Sequence, residues 1–180
     1  MVEGIGWPDE GTRRTFLRQL ENQVLQETGN QFERIVLLAA DGTPLLVQDG
    51  SIGDVYLTTQ DVERFAVKVD LLSHNHPRGT SFTEDDVLGA IALNVRELNA
   101  FDRRIRHRLF LAATGAGWPA PAVALAEIRR IDAEIRVVLR PRVLRGDLTP
   151  LAAEALHRRL RWVSFARRFA PDVHYVEERR

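Results

Sequence analysis

The sequence predicts an α/β fold in which helices flank a mixed β-sheet, followed by a mostly helical C-terminal part. Short apolar runs alternate with stretches of helical periodicity over roughly the first 115 residues, which is the order expected of strands and helices that share one sheet. Beyond that point the periodicity is mainly helical. No repeat, low-complexity linker or change of composition divides the chain, so residues 1–180 are expected to form a single domain.

The first elements are a helix, a hairpin and a second helix. Residues 10–28 carry apolar side chains at helical spacing, and a glycine follows them as a stop signal. An Asp-Gly pair between two apolar runs predicts a β-hairpin over residues 33–48. A loop rich in glycine and aspartate then leads to a short strand at 55–57 and a capped helix over 58–68.

Three further strands and three further helices are predicted in the rest of the chain. In order they are strand 69–74, helix 84–99, strand 108–112, helix 122–139, helix 150–169 and edge strand 172–176. The helix that begins near residue 122 is expected to end before Pro141, because proline lacks a backbone N–H and clashes with the preceding turn.

Six other residues could suggest a functional site but have simpler explanations. Three histidines lie among arginines or on predicted helix surfaces, namely His107, His157 and His174. Three tryptophans are too widely spaced to form a stacking platform, namely Trp7, Trp118 and Trp162. All six are interpreted as packing or surface residues.

Composition excludes several classes of protein and of site. The chain has no cysteine, so disulfides and thiolate metal sites are excluded and any metal must be held by histidine and carboxylate. No apolar run approaches the roughly 20 residues of a membrane span. The first residues lack the basic and then apolar order of a signal peptide, so a cytoplasmic location is expected.

The charges are divided unevenly between the two parts of the chain. Residues 1–100 contain 8 Lys and Arg against 16 Asp and Glu, a net charge of −8, whereas residues 101–180 contain 17 against 9, a net charge of +8. A basic half can indicate binding to nucleic acid. Nearly all the basic residues are arginine, with Lys68 the only lysine, and arginine on helices is common on solvated faces. Nucleic-acid binding is therefore the less favoured interpretation.

The most informative stretch of the chain is HNHPRGTSFTEDD, which ends at Asp86. His74 and His76 are two residues apart at the end of a predicted strand, so both side chains point to one face. Thr83 is placed to cap the next helix, whose first turn can bring Asp86 back toward the histidines. Three ligands of this kind and one open position are the arrangement of a catalytic zinc site.

The spacing of these residues also resembles a known family. The chain carries the pattern HxHP…[ST]xxD at His74, His76, Pro77, Thr83 and Asp86. This pattern strongly resembles the metal motif of the JAMM (MPN-plus, JAB) zinc metalloproteases, whose mixed sheet is cytidine-deaminase-like. The HNHP form looks closest to the RadC-like branch, and the longer string looks closer still to JAMM-like domains of phage head-morphogenesis and bacterial toxin-associated proteins. The order of elements is similar to a JAMM core over residues 30–115, with 116–180 as a helical C-terminal extension.

The resemblance implies a glutamate on the first strand of the core, and Glu33 is the candidate. It opens the apolar run that leads into the Asp-Gly turn, at the distance at which the resembling domains carry their glutamate. Such a carboxylate would take a proton from water and return it to the leaving group. Glu27 and Glu21 are weaker alternatives, since both fit the preceding helix.

A mechanism follows from these assignments. Zn²⁺ held by His74, His76 and Asp86 would bind water and lower its pKa to about 7. Glu33 would act as general base and then as general acid, and the hydroxyl of Thr83 would help to stabilise the oxyanion, as the Ser or Thr of the family does.

The expected activity is zinc-dependent hydrolysis of a peptide or isopeptide bond, with a peptide or protein as substrate and no membrane partner. One alternative is a zinc-dependent nuclease or a nucleic-acid-associated RadC-like protein, as the basic half allows. A second alternative is a non-catalytic MPN-type interaction module. The second is weakened because all four active-site positions are filled, whereas scaffolds of that fold usually lose ligands.

Overall fold

The computed structural model describes residues 9–52 and 54–180, and Trp7 therefore lies outside the described residues. It is an α/β fold in which five helices flank one six-stranded mixed sheet. In chain order the elements are α1 (Glu10–Thr28), β1 (Arg34–Leu38), β2 (Pro44–Asp49), α2 (Thr59–Phe65), β3 (Leu71–Asn75), α3 (Glu84–Leu93), β4 (Glu97–Phe101), β5 (Ile105–Leu111), α4 (Pro121–Leu144), α5 (Pro150–Arg168) and β6 (Val173–Arg179). Within the described ranges, no helix is long and apolar enough to cross a bilayer.

The sheet has the strand order β2-β1-β3-β4-β5-β6. Strands β3 and β4 are parallel and are connected through α3, whereas the other neighbouring strands pair antiparallel. Since β3 lies between β1 and β4, all five of its residues are buried. The C-terminal end of this central strand is therefore a place where polar side chains can be held in fixed positions, away from bulk water.

The two faces of the sheet pack against different helices. On one face, α1 contributes Leu17 and Val24 to a cluster with Val36, Leu71 and other strand residues. On the other face, side chains such as Leu37 pack with residues of α3, α4 and α5 in a larger core. Alternate residues of β1 thus enter different cores, as the two-residue period of a strand requires.

The C-terminal helices are joined to the segment that precedes α3. Trp162 of α5 is fully buried, which confirms its interpretation as a packing residue. Its indole N–H donates to the backbone carbonyl of Phe82 at 3.2 Å, and the two rings meet edge to face. Strand β6 pairs along the full length of β5, so the part of the chain after residue 115 completes the same sheet.

Three of the predicted elements are wrong in whole or in part. Residues 55–57 form no strand, because Val55 and Leu57 face the core from a loop and make no ladder. The helix predicted over 84–99 ends at Leu93, where Asn94 adopts a left-handed conformation with φ of 53°, and the following residues form β4.

The third error concerns the end of α4. This helix continues through Pro141 to Leu144, although the sequence predicted a stop before the proline. Pro141 removes the hydrogen bond to the carbonyl of Val137, whose side chain is 75% exposed. Solvent can hydrate a carbonyl on that side of the helix, so the loss of one bond near the helix end does not break it.

Candidate metal centre

The two histidines of the motif lie where β3 ends. His74 is in the strand, paired opposite Ile35, and His76 is the first residue beyond it. The backbone N–H of His76 donates to the carbonyl of Phe101 at 2.8 Å, which keeps the chain extended past the strand end. The two rings therefore lie on one side, with centroids 4.5 Å apart, and both side chains are almost completely buried.

The third residue of the group is placed by the start of α3. The hydroxyl of Thr83 accepts a hydrogen bond from the backbone N–H of Asp86, and the carboxylate of Asp86 accepts one from the backbone N–H of Thr83 at 2.6 Å. This reciprocal capping box fixes the Asp86 side chain at the N-terminus of the helix. It also directs the remaining face of the carboxylate toward the histidines.

The distances among the three side chains fit a small tetrahedral cation. His74 Nε2 lies 3.3 Å from Asp86 Oδ1, and His76 Nε2 lies 3.6 Å from Asp86 Oδ2. One ligand atom from each residue can be chosen so that all lie within 4.8 Å of one another. Tetrahedral zinc with bonds of about 2.1 Å separates its ligand atoms by about 3.4 Å. The sequence prediction that these three residues come together is thus matched by the structure.

The protonation states of two of the three side chains, His76 and Asp86, suit a cation. Burial and the neighbouring charge of His74 lower the pKa of His76 to about 3, so this imidazole is neutral, as metal ligation requires. Burial opposes ionisation of Asp86, but attraction to His74 and His76 is stronger and holds the pKa of that carboxyl below its usual range. The pKa of His74 is raised because attraction to Asp86 outweighs its burial.

The two nitrogen atoms of His74 are both buried. Nε2 lies 3.3 Å from Asp86 Oδ1, and Nδ1 has no hydrogen-bond partner within the described residues. A cation between His74, His76 and Asp86 would bind Nε2 in place of its contact with the carboxylate.

A threonine that the sequence analysis did not single out orients His76. The Nδ1 atom of His76 lies 2.7 Å from the hydroxyl of Thr80. This contact leaves Nε2 of His76 as the nitrogen that faces Asp86, which is the usual role of a hydrogen-bond partner behind a metal ligand. Nothing in the spacing of the motif marks Thr80, because the contact depends on the path of the loop after Pro77.

Glu33 lies beside this group. It directly precedes β1 and is only 8% exposed. Its backbone N–H donates to the backbone carbonyl of Ser51 at 2.8 Å. Glu33, His76 and Asp86 line one cavity of about 190 Å³. Burial raises the pKa of Glu33 to about 7, with the charge of His74 acting in the opposite direction. A carboxyl with that pKa can both accept and donate a proton near neutrality.

The two alternative glutamates are engaged elsewhere. Glu21 is a buried residue of α1 and forms ion pairs with Arg106 at 2.6 Å and Arg180 at 3.2 Å. Glu27 forms an ion pair with Arg34. Neither lines the cavity next to the histidines, so Glu33 is the one of the three candidates that the fold brings to them.

The residue between the histidines holds Glu33 in place. Asn75 points away from His74 and His76, as strand alternation requires. Its Oδ1 accepts from the backbone N–H of Arg34 at 2.7 Å, and its Nδ2 donates to the carbonyl of Phe32 at 2.9 Å. The two contacts lie on either side of Glu33. Nothing in the sequence marks Asn75 for this role, because only the pairing of β1 with β3 brings its amide to this backbone.

The remaining cavity residues differ in how well the sequence predicted them. Thr83 lines the cavity as expected, but its hydroxyl also accepts the capping hydrogen bond, and its catalytic role stays a prediction. Asp54, Tyr56 and Asp85 line the same cavity, and the sequence assigned no individual role to any of them. The first two follow β2 in an irregular loop, which carries no periodic signal.

The three other histidines do not belong to the group. His107 contacts the hydroxyl of Tyr175 at 2.8 Å, His157 lies 3.4 Å from Asp132, and His174 stacks on Phe110. They are half-buried or exposed, as the sequence predicted.

Comparison of the chain with models of protein families, with curated proteins and with solved structures gives no match. The resemblance to JAMM metalloproteases therefore depends on the residues HxHP…TxxD and on Glu33.

We predict that the purified protein binds about one zinc ion per chain and that Asp86→Ala or His76→Ala abolishes stoichiometric binding, because three ligands are needed to hold the cation. Metal analysis after dialysis measures the zinc content. The neighbouring exposed acid provides a matched control, and Asp85→Ala should retain zinc. Full zinc content in Asp86→Ala would remove that residue from the ligand set.

The amide of Asn75 is expected to contribute to stability and not to zinc binding. Asn75→Ala leaves the Phe32 carbonyl and the Arg34 N–H without partners, and we expect a loss of about 1–3 kcal/mol in the free energy of unfolding. Urea denaturation and metal analysis of the same variant measure the two quantities. Unchanged stability, or loss of zinc equal to that in Asp86→Ala, would contradict this assignment.

The raised pKa of Glu33 predicts a pH-dependent effect in the metal-free protein. The pKa is about 7 in the fold against an ordinary 4.5, so the folded state binds the proton more tightly than the unfolded state. The stability associated with this proton is present below pH 4.5 and is lost as the pH rises through 7. Glu33→Gln cannot ionise, and its melting temperature should exceed that of the wild type at pH 8 more than at pH 5. A difference independent of pH would show that Glu33 titrates normally.

Proposed function

We propose that the chain is a zinc-dependent hydrolase of the JAMM/MPN-like type, in the RadC-like branch, that cleaves a peptide or isopeptide bond. The observation that carries the proposal is the grouping of His74, His76 and Asp86, two of which line the cavity that the buried Glu33 also lines. A structural metal site needs no acid-base residue beside it. A buried carboxyl next to three metal-ligand side chains can carry out the proton transfers of hydrolysis.

The proposed chemistry assigns one task to each residue. A zinc ion bound by the three ligands would supply a Lewis acid and lower the pKa of a water molecule. Glu33 would accept a proton from the attacking water on its carboxylate and pass it to the leaving nitrogen. Thr80 would keep the His76 ring in one orientation through the 2.7 Å contact to Nδ1.

The volume and the lining of the cavity suit a peptide main chain. Val55, Leu57 and Leu72 provide apolar walls, and Asp54 and Asp85 lie on the same lining. Apolar walls exclude water from the region next to Glu33, which strengthens electrostatic interactions there. A main chain with small side chains near the cleaved bond would fit a cavity of about 190 Å³.

Glu33→Gln is expected to retain zinc and the fold but to lower the rate of hydrolysis by about 10²–10⁴-fold, because an amide cannot accept the proton from water. A fluorogenic library of peptides and isopeptide-linked pairs provides the substrate, and zinc content is measured on the same sample. Glu27→Gln is the matched control, since Glu27 forms an ion pair with Arg34 away from the cavity and should retain activity. Wild-type turnover by Glu33→Gln would place the general base elsewhere.

The arginines of the C-terminal half favour a peptide substrate over nucleic acid. Many of them form ion pairs within the fold, as Arg108 does with Glu97, Arg161 with Asp132 and Arg168 with Glu134. A paired guanidinium has less charge to offer to phosphate. The nuclease alternative is thus second to peptide hydrolysis.

We predict that the protein does not cleave DNA or RNA at about 0.15 M salt and that any binding is weak and falls steeply with salt. Zinc-loaded wild-type protein is incubated with single- and double-stranded oligonucleotides. Glu33→Gln and His76→Ala serve as controls for contaminating nuclease. Oligonucleotide cleavage that disappears in both variants would instead support the nuclease alternative.

A further inference from the structure

A second groove lies next to the candidate metal centre and shares a loop with it. His76 and Thr83, at the two ends of this loop, line the metal cavity, whereas Arg78, Gly79 and Ser81, between them, line the second groove. The volume of the second groove is about 550 Å³, within the range of ligand-binding sites. Its other walls come from β5, α5 and β6.

The charge of the second groove is opposite to that of the metal cavity. Three arginines line the groove, Arg78, Arg158 and Arg159, against one acid, Glu177. The acids Glu33, Asp54, Asp85 and Asp86 line the metal cavity. A molecule that crosses the loop would therefore pass from an acidic to a basic environment.

The arginines of this groove are less engaged in ion pairs than the buried Arg106. Arg78 is exposed and has no ion pair within the described residues. Arg159 is 65% exposed and approaches Glu177 only to 3.8 Å. Arg158 pairs with the exposed Glu154 at 2.8 Å, but its Nε is buried without a hydrogen-bond partner. The charge of Arg78, and in part that of the exposed Arg159, is thus available to a ligand.

A buried hydroxyl provides an independent sign of a ligand. Ser81 is 5% exposed, lines the groove, and its Oγ has no hydrogen-bond partner in the part of the chain described. A buried polar group without a partner is costly, and a ligand carboxylate would satisfy it. Ile105, Leu151 and Leu156 add apolar surface beside the charged groups.

We infer that this groove binds an acidic peptide segment, with carboxylates on Arg78 and Arg159 and aliphatic side chains against Leu151 and Leu156. The inference rests on the proposed function, since the segment would belong to the substrate whose cleaved bond lies at the metal. Peptide is favoured over nucleic acid because Glu177 and the apolar wall disfavour a continuous polyphosphate. Guanidinium groups recognise carboxylates through two parallel hydrogen bonds.

Binding without turnover tests the inference. Full-length zinc-loaded Glu33→Gln is titrated into a fluorescein-labelled peptide of alternating Glu and Leu, and into matched Gln-Leu and Lys-Leu peptides, with anisotropy as the readout. The acidic peptide should bind best. Adding Arg78→Ala and Arg159→Ala should weaken its binding about tenfold or more, which is the effect of losing a charge-assisted contact. Ser81→Ala should weaken it with no loss of melting temperature.

The control variant is Arg167→Ala, which removes an exposed arginine from the same helix but outside the groove. It should bind the acidic peptide as the parent does. Equal loss in Arg167→Ala, or equal affinity for the three peptides, would overturn the inference. Tighter binding of a single-stranded oligonucleotide that is lost in Arg78→Ala and Arg159→Ala would overturn it in favour of nucleic acid. If wild-type protein cleaves peptides but none of the binding differences appears, only this inference fails.

Discussion

The side chain of Asn75 is the contact that joins the two parts of the candidate centre. The backbone ladder between β1 and β3 reaches Ile35 opposite His74, and beyond it the Asn75 amide bonds to the backbone on both sides of Glu33. Because neighbouring residues of an extended chain point in opposite directions, His74 and His76 are then directed to the other side. One short segment thus positions both the metal-ligand side chains and the acid-base residue.

A second constraint closes the group from the side of α3. Asp86 both accepts the Thr83 backbone N–H at the helix N-terminus and faces the two imidazoles. The helix dipole and the capping hydrogen bond favour its ionised form, as do the histidines. The loop before Thr83 is held by Phe82, whose carbonyl accepts from Trp162 of α5. The C-terminal helices therefore support the site, although none of the three ligand side chains comes from them.

The sequence predicted the candidate site correctly where the pattern depends on residues close together in the chain. Strand alternation, a proline stop and a threonine cap predicted that His74, His76 and Asp86 meet, and the structure brings them within ligand distance. The sequence pattern did not predict the structure correctly where tertiary contacts determine whether a segment forms a helix, a strand or a loop. Val55 and Leu57 look like a strand but pack against the core from a loop, and residues 95–98 continue a helical spacing although Asn94 ends the helix. Long-range partners such as Thr80 for His76 follow from the folded loop and leave no periodic pattern.

The account depends most directly on a zinc ion held by two imidazoles and one carboxylate. X-ray absorption at the zinc edge of the purified wild-type protein measures the ligands themselves, with the zinc content of Asp86→Ala and His76→Ala determined beside it. Two imidazole nitrogens at about 2.0–2.1 Å and no sulfur are expected in the wild type, and no stoichiometric zinc in either variant. A wild-type spectrum with one imidazole or none, or full zinc content in both variants, would place the zinc elsewhere and contradict this assignment.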